Sequence, residues 1–159
     1  MVKTDPKKLL TIGIDPGVNT GFAVYDRNLH KIVLARTVTF WELFRDLLPD
    51  YPPSVADIVV EDANLNKPTF KEHGGWEGRK REKISRNVGS VQAESRLIIE
   101  GLRLMGYTVL SIKPGGKKWD SQMLERITGY GLRTSQHVRD AIRFCYGVKQ
   151  VRETANGDV

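Results

Sequence analysis

Four residues carry most of the chemistry this chain could do: Asp15, Glu61, His137 and Asp140. Asp15 follows Leu10, Ile12 and Ile14, apolar at period two, and precedes Pro16-Gly17. It is therefore an acid held by a buried strand and exposed by a turn. Phe22 and Val24 resume the same period, and Gly17 and Gly21 suit a turn that needs positive φ or close backbone approach to a ligand. Glu61 ends the apolar run Asp57-Ile58-Val59-Val60, and His137 and Asp140, three apart, share one face of a helix. Gathered carboxylates repel and are expensive to keep ionised without a counter-cation. An oxygen-rich set of this kind suits Mg²⁺ or Mn²⁺ with positions left for water and phosphate oxygens. Two such ions about 3.5–4 Å apart would activate a water and stabilise the leaving oxygen in phosphodiester cleavage.

Each residue also has a plain structural reading. Asp15 would be a turn acid before Pro16, and Glu61, followed by Asp62, a solvated strand edge. His137 would be a surface or satisfied histidine, and Asp140 a surface partner of Arg139 or Arg143. Glu94, beside the apolar stripe of its helix, would snorkel or serve as an N-terminal helix charge. Only the joint appearance of the four, in one order, points to a common site.

The elements that must position them follow from periodicity. After the opening hairpin, Lys31–Val38 alternates as a third strand. Phe40, Leu43, Phe44, Leu47 and Leu48 have helical spacing, ended by Pro49, Pro52 and Pro53. Asp57–Glu61 reads as a central strand. Val91, Ser95, Ile98, Leu102 and Met105 predict a helix over 88–105 of about five turns, closed by Gly106. Tyr107–Ile112 is an alternating strand, Asp120–Thr128 a short helix, and Ser135–Tyr146 a last helix with Val138, Ala141, Ile142 and Cys145 inward. Three antiparallel strands followed by crossover connections predict an α/β fold, a mixed five-stranded sheet with helices on both faces.

Composition sets the partners. The chain has 159 residues, no internal repeat and no sign of a second domain, with residues 1–8 and those after Gly147 read as loose ends. No apolar run reaches membrane-spanning length, and the lone Cys145 excludes an internal disulfide or a cysteine-built zinc site, as expected of a cytoplasmic protein. Lys and Arg number 25 against 19 Asp and Glu, a net charge of +6, which favours a polyanionic partner. Residues 62–87 read as a long basic loop with Lys67, Arg79, Lys80, Arg81, Lys83 and Arg86, interleaved with Phe70 and Trp76. Lys113-Pro114-Gly115-Gly116-Lys117-Lys118 is a second basic loop, and Arg133 adds a third contact. These groups are the expected DNA-backbone contacts.

Taken together, Ile12-Gly13-Ile14-Asp15-Pro16-Gly17 with Thr20-Gly21, Val59-Val60-Glu61, Asn87-Val88-Gly89-Ser90, Thr128-Gly129-Tyr130 and Ser135-Gln136-His137-Val138-Arg139-Asp140-Ala141 resemble the RuvC-type Holliday-junction resolvases of the RNase H-like superfamily, in particular their phage-encoded relatives. The resemblance runs from about Leu9 to Gly147. It implies one RNase H-like nuclease domain over 1–159, two Mg²⁺ or Mn²⁺ ions per active site, and paired symmetric nicks in four-way DNA junctions by a homodimer. By motif, Asp15 would bridge the metals, Glu61 and Asp140 would complete the acidic set, and His137 would be a ligand or orient water. A phage origin would place the protein in the cytoplasm of a bacterial host. Bacterial members carry a stacking aromatic soon after the strand-end acid. Here that neighbourhood is Ala63-Asn64-Leu65, and Phe70 or Trp76 is the candidate junction wedge.

Other readings stay open at this point. They are a nuclease of the same fold acting on flaps, other branched DNA or RNA–DNA hybrids, and a non-catalytic junction-binding module. A nucleotide-binding ATPase needs two enclosing domains, and neither a Walker A motif nor a dinucleotide fingerprint is present, so no nucleotide cofactor is expected.

Overall fold

A computed structural model describes residues 8–66, 78–148 and 151, and only the backbone of 78–85. Strands β1 (Leu10–Asp15), β2 (Thr20–Asp26) and β3 (Lys31–Val38) form the antiparallel part of one sheet. Strands β4 (Ala56–Glu61) and β5 (Val109–Ile112) add to it in parallel, giving the order β3-β2-β1-β4-β5. Helix α1 (Phe40–Glu42) opens with a Thr39/Glu42 capping box, widens to a π-helical turn over Leu43–Leu47 and ends in a 3₁₀ turn at Leu48–Asp50. Helices α2 (Gly78–Leu104), α3 (Ser121–Thr128) and α4 (Gln136–Cys145) complete the fold. Among the described residues no helix is long and apolar enough to cross a membrane.

Alternation along the strands divides the core in two. Ile12, Ile14, Phe22, Val24, Ile58 and Val60 pack with Leu43, Leu48, Ile98 and Leu102, so α1 and α2 cover one face. Ala23 and Tyr25 pack with Leu124, Val138, Ala141, Ile142 and Cys145, so α3 and α4 cover the other. The expected mixed sheet with helices on both faces is what the chain forms. Cys145 is buried and free, and burial pushes its thiol up to about 12, which leaves it protonated.

Three local expectations need correction. The basic stretch read as loop is partly helix: α2 begins at Gly78, so Arg79, Lys80, Arg81, Lys83 and Arg86 lie on its first turns. Residues 78–87 have no apolar period to betray a helix, but they are rich in Arg, Lys and Glu, strong helix formers, and contain no proline. Gly17 does not adopt positive φ. Gly21 does permit close approach, but to protein rather than ligand. Lys67, Phe70 and Trp76 lie outside the described residues.

Helix α4 lies directly on the main chain of β1 and β2. A Cβ on Gly13 would stand 2.0 Å from the Ala141 carbonyl oxygen and 3.2 Å from Cys145 Cβ. One on Gly21 would stand 2.0 Å from the His137 carbonyl oxygen. The helix stripe His137-Ala141-Cys145, at i, i+4 spacing, therefore fits onto two bare strand positions. At the opposite end of the sheet Arg27 ties three strands together. Its guanidinium donates to Asp57 Oδ2 (2.8 Å), Thr11 Oγ1 (2.8 Å) and the Lys8 carbonyl (2.8 Å), while Lys8 Nζ donates to Asp57 Oδ1 (2.9 Å). Each buried charge there has a partner.

The glycine contact predicts a sign difference. Gly21→Ala should lower unfolding free energy by about 1–3 kcal/mol, because the methyl meets helix backbone that cannot yield locally. Gly89→Ala, with nothing within 4 Å of the added carbon and a helical position, should raise it by roughly 0.5–1 kcal/mol. Urea denaturation of the two variants against the wild type measures both.

Candidate active site

Three elements carry the acids to one end of the sheet. In β1, Thr11, Gly13 and Asp15 face α4, and the β1–β2 register sets Asp15 opposite Gly21. Gly21 touches the first turn of α4, so His137 stands beside the carboxylate: its Nδ1 lies 2.9 Å from Asp15 Oδ2. The parallel register pairs Ile14 with Val60, which makes Asp15 and Glu61 neighbours at the ends of adjacent strands, on the same face. Asp140 is one residue before the Ala141 that packs on Gly13, and it points into the same space. Ser135 starts α4 by accepting from Val138 N.

The electrostatics follow from that proximity. Burial pushes the Asp15 carboxyl above its ordinary range, opposed by the bond and charge of His137 and the charge of Lys118, and reinforced by Asp140. Glu61 is likewise pushed up, first by burial and then by the charge of Asp15, with a further contribution from Asp140 and relief from Lys118 and Arg143. Asp140 is 1% exposed and is satisfied by cations and an amide. Lys118 Nζ reaches its Oδ2 at 2.5 Å, Gln136 Nε2 donates to Oδ1 at 3.1 Å, and Arg143 Nε stands 3.7 Å from Oδ1. Glu61 has no side-chain hydrogen bond among the described residues.

Asp15, Glu61, His137 and Asp140 are thus brought together. The second basic loop arrives with them: it follows β5, bends through Gly115 (φ +136°) and Gly116 (φ +87°), and lays Lys118 over Asp140. Lys117 and Arg133 are exposed nearby in sequence, and Arg86 is exposed on α2. The side chains of Arg79, Lys80, Arg81 and Lys83 lie outside the described residues. Among the described residues no three His, Cys, Asp or Glu side chains are grouped closely enough to hold a metal ion as they stand.

The sequence offered Arg143 only as a surface partner of Asp140, not as part of the site. Its Nη2 donates to the Gly115 carbonyl at 3.2 Å, its guanidinium lies over the Phe144 ring, and so it fastens the basic loop to α4. The i, i+3 spacing from Asp140 is the signal that was present. Arg139 turns away instead, to the carbonyls of Trp119 and Thr134. Glu94 is no N-terminal charge, because α2 starts sixteen residues earlier at Gly78; it accepts from Thr20 Oγ1 (3.4 Å), whose hydroxyl also reaches the Gly17 carbonyl.

No family model and no curated protein matches the chain. Among solved structures, T. thermophilus RuvC in complex with a Holliday junction substrate is similar over 86% of this chain and 90% of that one, with 15% identity and a TM-score of 0.51. The fold is the RNase H-like fold of RuvC. On that sheet the two strand-end acids and the acid of the last helix lie at one end of the central strands β1 and β4.

A pH signature follows from Asp15. Its folded-state pKa is raised above the ordinary 3.8, so the folded protein keeps that proton to higher pH than the unfolded chain does. Stability of the metal-free protein therefore falls as pH rises through the window between the two values, and the deficit is complete above it. Asp15→Asn should raise Tm in chelator at pH 7, with the gain shrinking as pH drops toward 4. Thermal unfolding of both proteins across that range tests it; a lower Tm for the variant at pH 7 would show that the carboxylate stabilises the metal-free fold.

Proposed function

We propose that this protein is a divalent-metal-dependent endonuclease that resolves four-way DNA junctions by paired symmetric nicks. The observation that carries the reading is the convergence of Asp15, Glu61 and Asp140 from β1, β4 and α4, with His137 against Asp15, on an RNase H-like sheet. Three hard oxygen donors, two of them made reluctant to ionise by burial and by neighbouring carboxylate charge, suit Mg²⁺ or Mn²⁺. Asp15, Glu61 and Asp140 would hold two such ions, with His137 as ligand or water-orienting group. The ions would supply an activated water and neutralise charge on the leaving oxygen. The protein's own task is to hold the acids in register, to orient His137 through Asp15, and to bring DNA to them.

DNA approach rests on the chain's basic groups. Lys118 lies against Asp140, Lys117 and Arg133 are exposed, and Arg79, Lys80, Arg81, Lys83 and Arg86 belong to the start of α2, with Lys67 before it in sequence. Phe70 and Trp76, on the same connection, are the proposed stacking residues at the junction centre. A two-fold junction calls for two symmetric sites, so the working form is a homodimer. Helix α2 supports pairing: Ser95, Ile98 and Leu102 enter the core, while Val88, Leu97 and Leu104 remain exposed. A phage origin, encountered in a bacterial cytoplasm, belongs to the same reading.

Asp15→Asn, Glu61→Gln and Asp140→Asn should each reduce Mg²⁺-dependent junction cleavage by roughly two to three orders of magnitude while leaving most DNA binding intact. Cleavage of junction, flap, duplex and RNA–DNA hybrid in competition decides the substrate, and preference for any of the last three would overturn junction resolution. Lys117→Ala and Arg81→Ala should each weaken binding and flatten the slope of log K against log salt by about one. An unchanged slope in a salt titration would move the DNA path to another surface.

A further inference from the structure

Asp140 is the most enclosed of the acids, and a buried carboxylate is costly without a compensating charge. Its two cations are held very differently. Arg143 is locked: its side chain is 17% exposed, stacked over Phe144 and bonded to the Gly115 carbonyl. Lys118 is not. Its side chain is 60% exposed, only its ammonium is engaged, and it hangs from a loop with two glycines at positive φ. That ammonium contacts Asp140, and its charge is also felt by Asp15 and Glu61. One largely exposed lysine thus bonds Asp140 and brings its charge near Asp15 and Glu61.

We propose that Lys118 is the resident counter-ion of the acid cluster, standing where a divalent cation binds, so that metal entry requires the lysine to leave Asp140. The inference rests on the metal-dependent reading of the site given above. It follows that metal affinity is set by an exchange: the ion gains carboxylate oxygens while the ammonium returns to water, at small cost because most of its stem is already there. The tether also leaves the released charge beside the site, available to a DNA phosphate. Two ligands competing for one position are linked thermodynamically, and removing one strengthens the other.

The test is Mn²⁺ binding to the full chain, freed of metal and without DNA, by calorimetry and thermal shift. Lys118→Ala should bind Mn²⁺ roughly tenfold tighter than the wild type, the scale of one charge-assisted hydrogen bond no longer displaced. Lys31→Ala, which removes an equal charge from an exposed position on β3, should bind Mn²⁺ as the wild type does. In chelator Lys118→Ala should melt below the wild type and gain more from added Mn²⁺. If that variant does not fold, Lys118→Gln keeps an amide donor for Asp140 without the charge and carries the same expectation. Equal or weaker affinity, in a protein whose Mn²⁺ binding is lost with Asp15→Asn, overturns the lysine's role and leaves the metal site standing. Absence of Mn²⁺ binding in the wild type, or binding indifferent to Asp15→Asn, overturns both.

Discussion

Helix α4 packs side chains on the sheet but also meets its backbone directly at two glycines, and the candidate active site depends on that close contact. Gly13 and Gly21 leave bare the two positions where the Ala141 and His137 carbonyls come to rest. Because Gly21 is the register partner of Asp15, the helix start is delivered to the strand-end acid. A layer of side chains between helix and strands would hold His137 and Asp140 away from it. The parallel pairing of β4 with β1 then adds Glu61 without further device. The geometry of the candidate site is a consequence of sheet register and of two missing Cβ atoms.

The two ends of the sheet handle charge in opposite ways. At one end Arg27, Asp57, Lys8 and Thr11 form a closed network in which every charge has a partner, and it joins β2 to β4 across β1. A satisfied network of this kind makes a rigid end. At the other end three acids crowd together and are only partly satisfied: Asp140 has Lys118, Gln136 and Arg143, Asp15 has His137, and Glu61 has no hydrogen bond among the described residues. Perturbed carboxylates grouped in this way mark that end as the candidate active site. The fold tolerates them because α4, α3 and the opposite core are otherwise well packed.

Local signals located most elements well. Period-two alternation placed β1, β2 and β3, and Asp120 and Ser135 acted as the N-caps that their positions before apolar stripes announce. Signals failed where a neighbour outbid the local pattern. Tyr107 reads as strand, yet its hydroxyl is drawn to the Leu48 and Tyr51 carbonyls and β5 starts only at Val109. The start of α2 was hidden because its first turns are polar all round, leaving helix propensity without a hydrophobic period. Arg27, which reads as a turn residue, is buried because Asp57 and Thr11 wait for it across the sheet.

By itself the sequence determined which residues could take part: the acids at two strand ends, the His-x-x-Asp of the last helix, the glycines, and the basic stretches. Those follow from periodicity and residue chemistry, which are local. Only the tertiary structure decided which groups share a space. That Lys118 rather than Arg139 reaches Asp140, that Arg143 anchors the basic loop, and that Gly13 and Gly21 receive a helix instead of a ligand all depend on the distance and angle at which α4 crosses the sheet. That crossing is set by contacts between residues more than a hundred positions apart, and no window of sequence contains both sides of them.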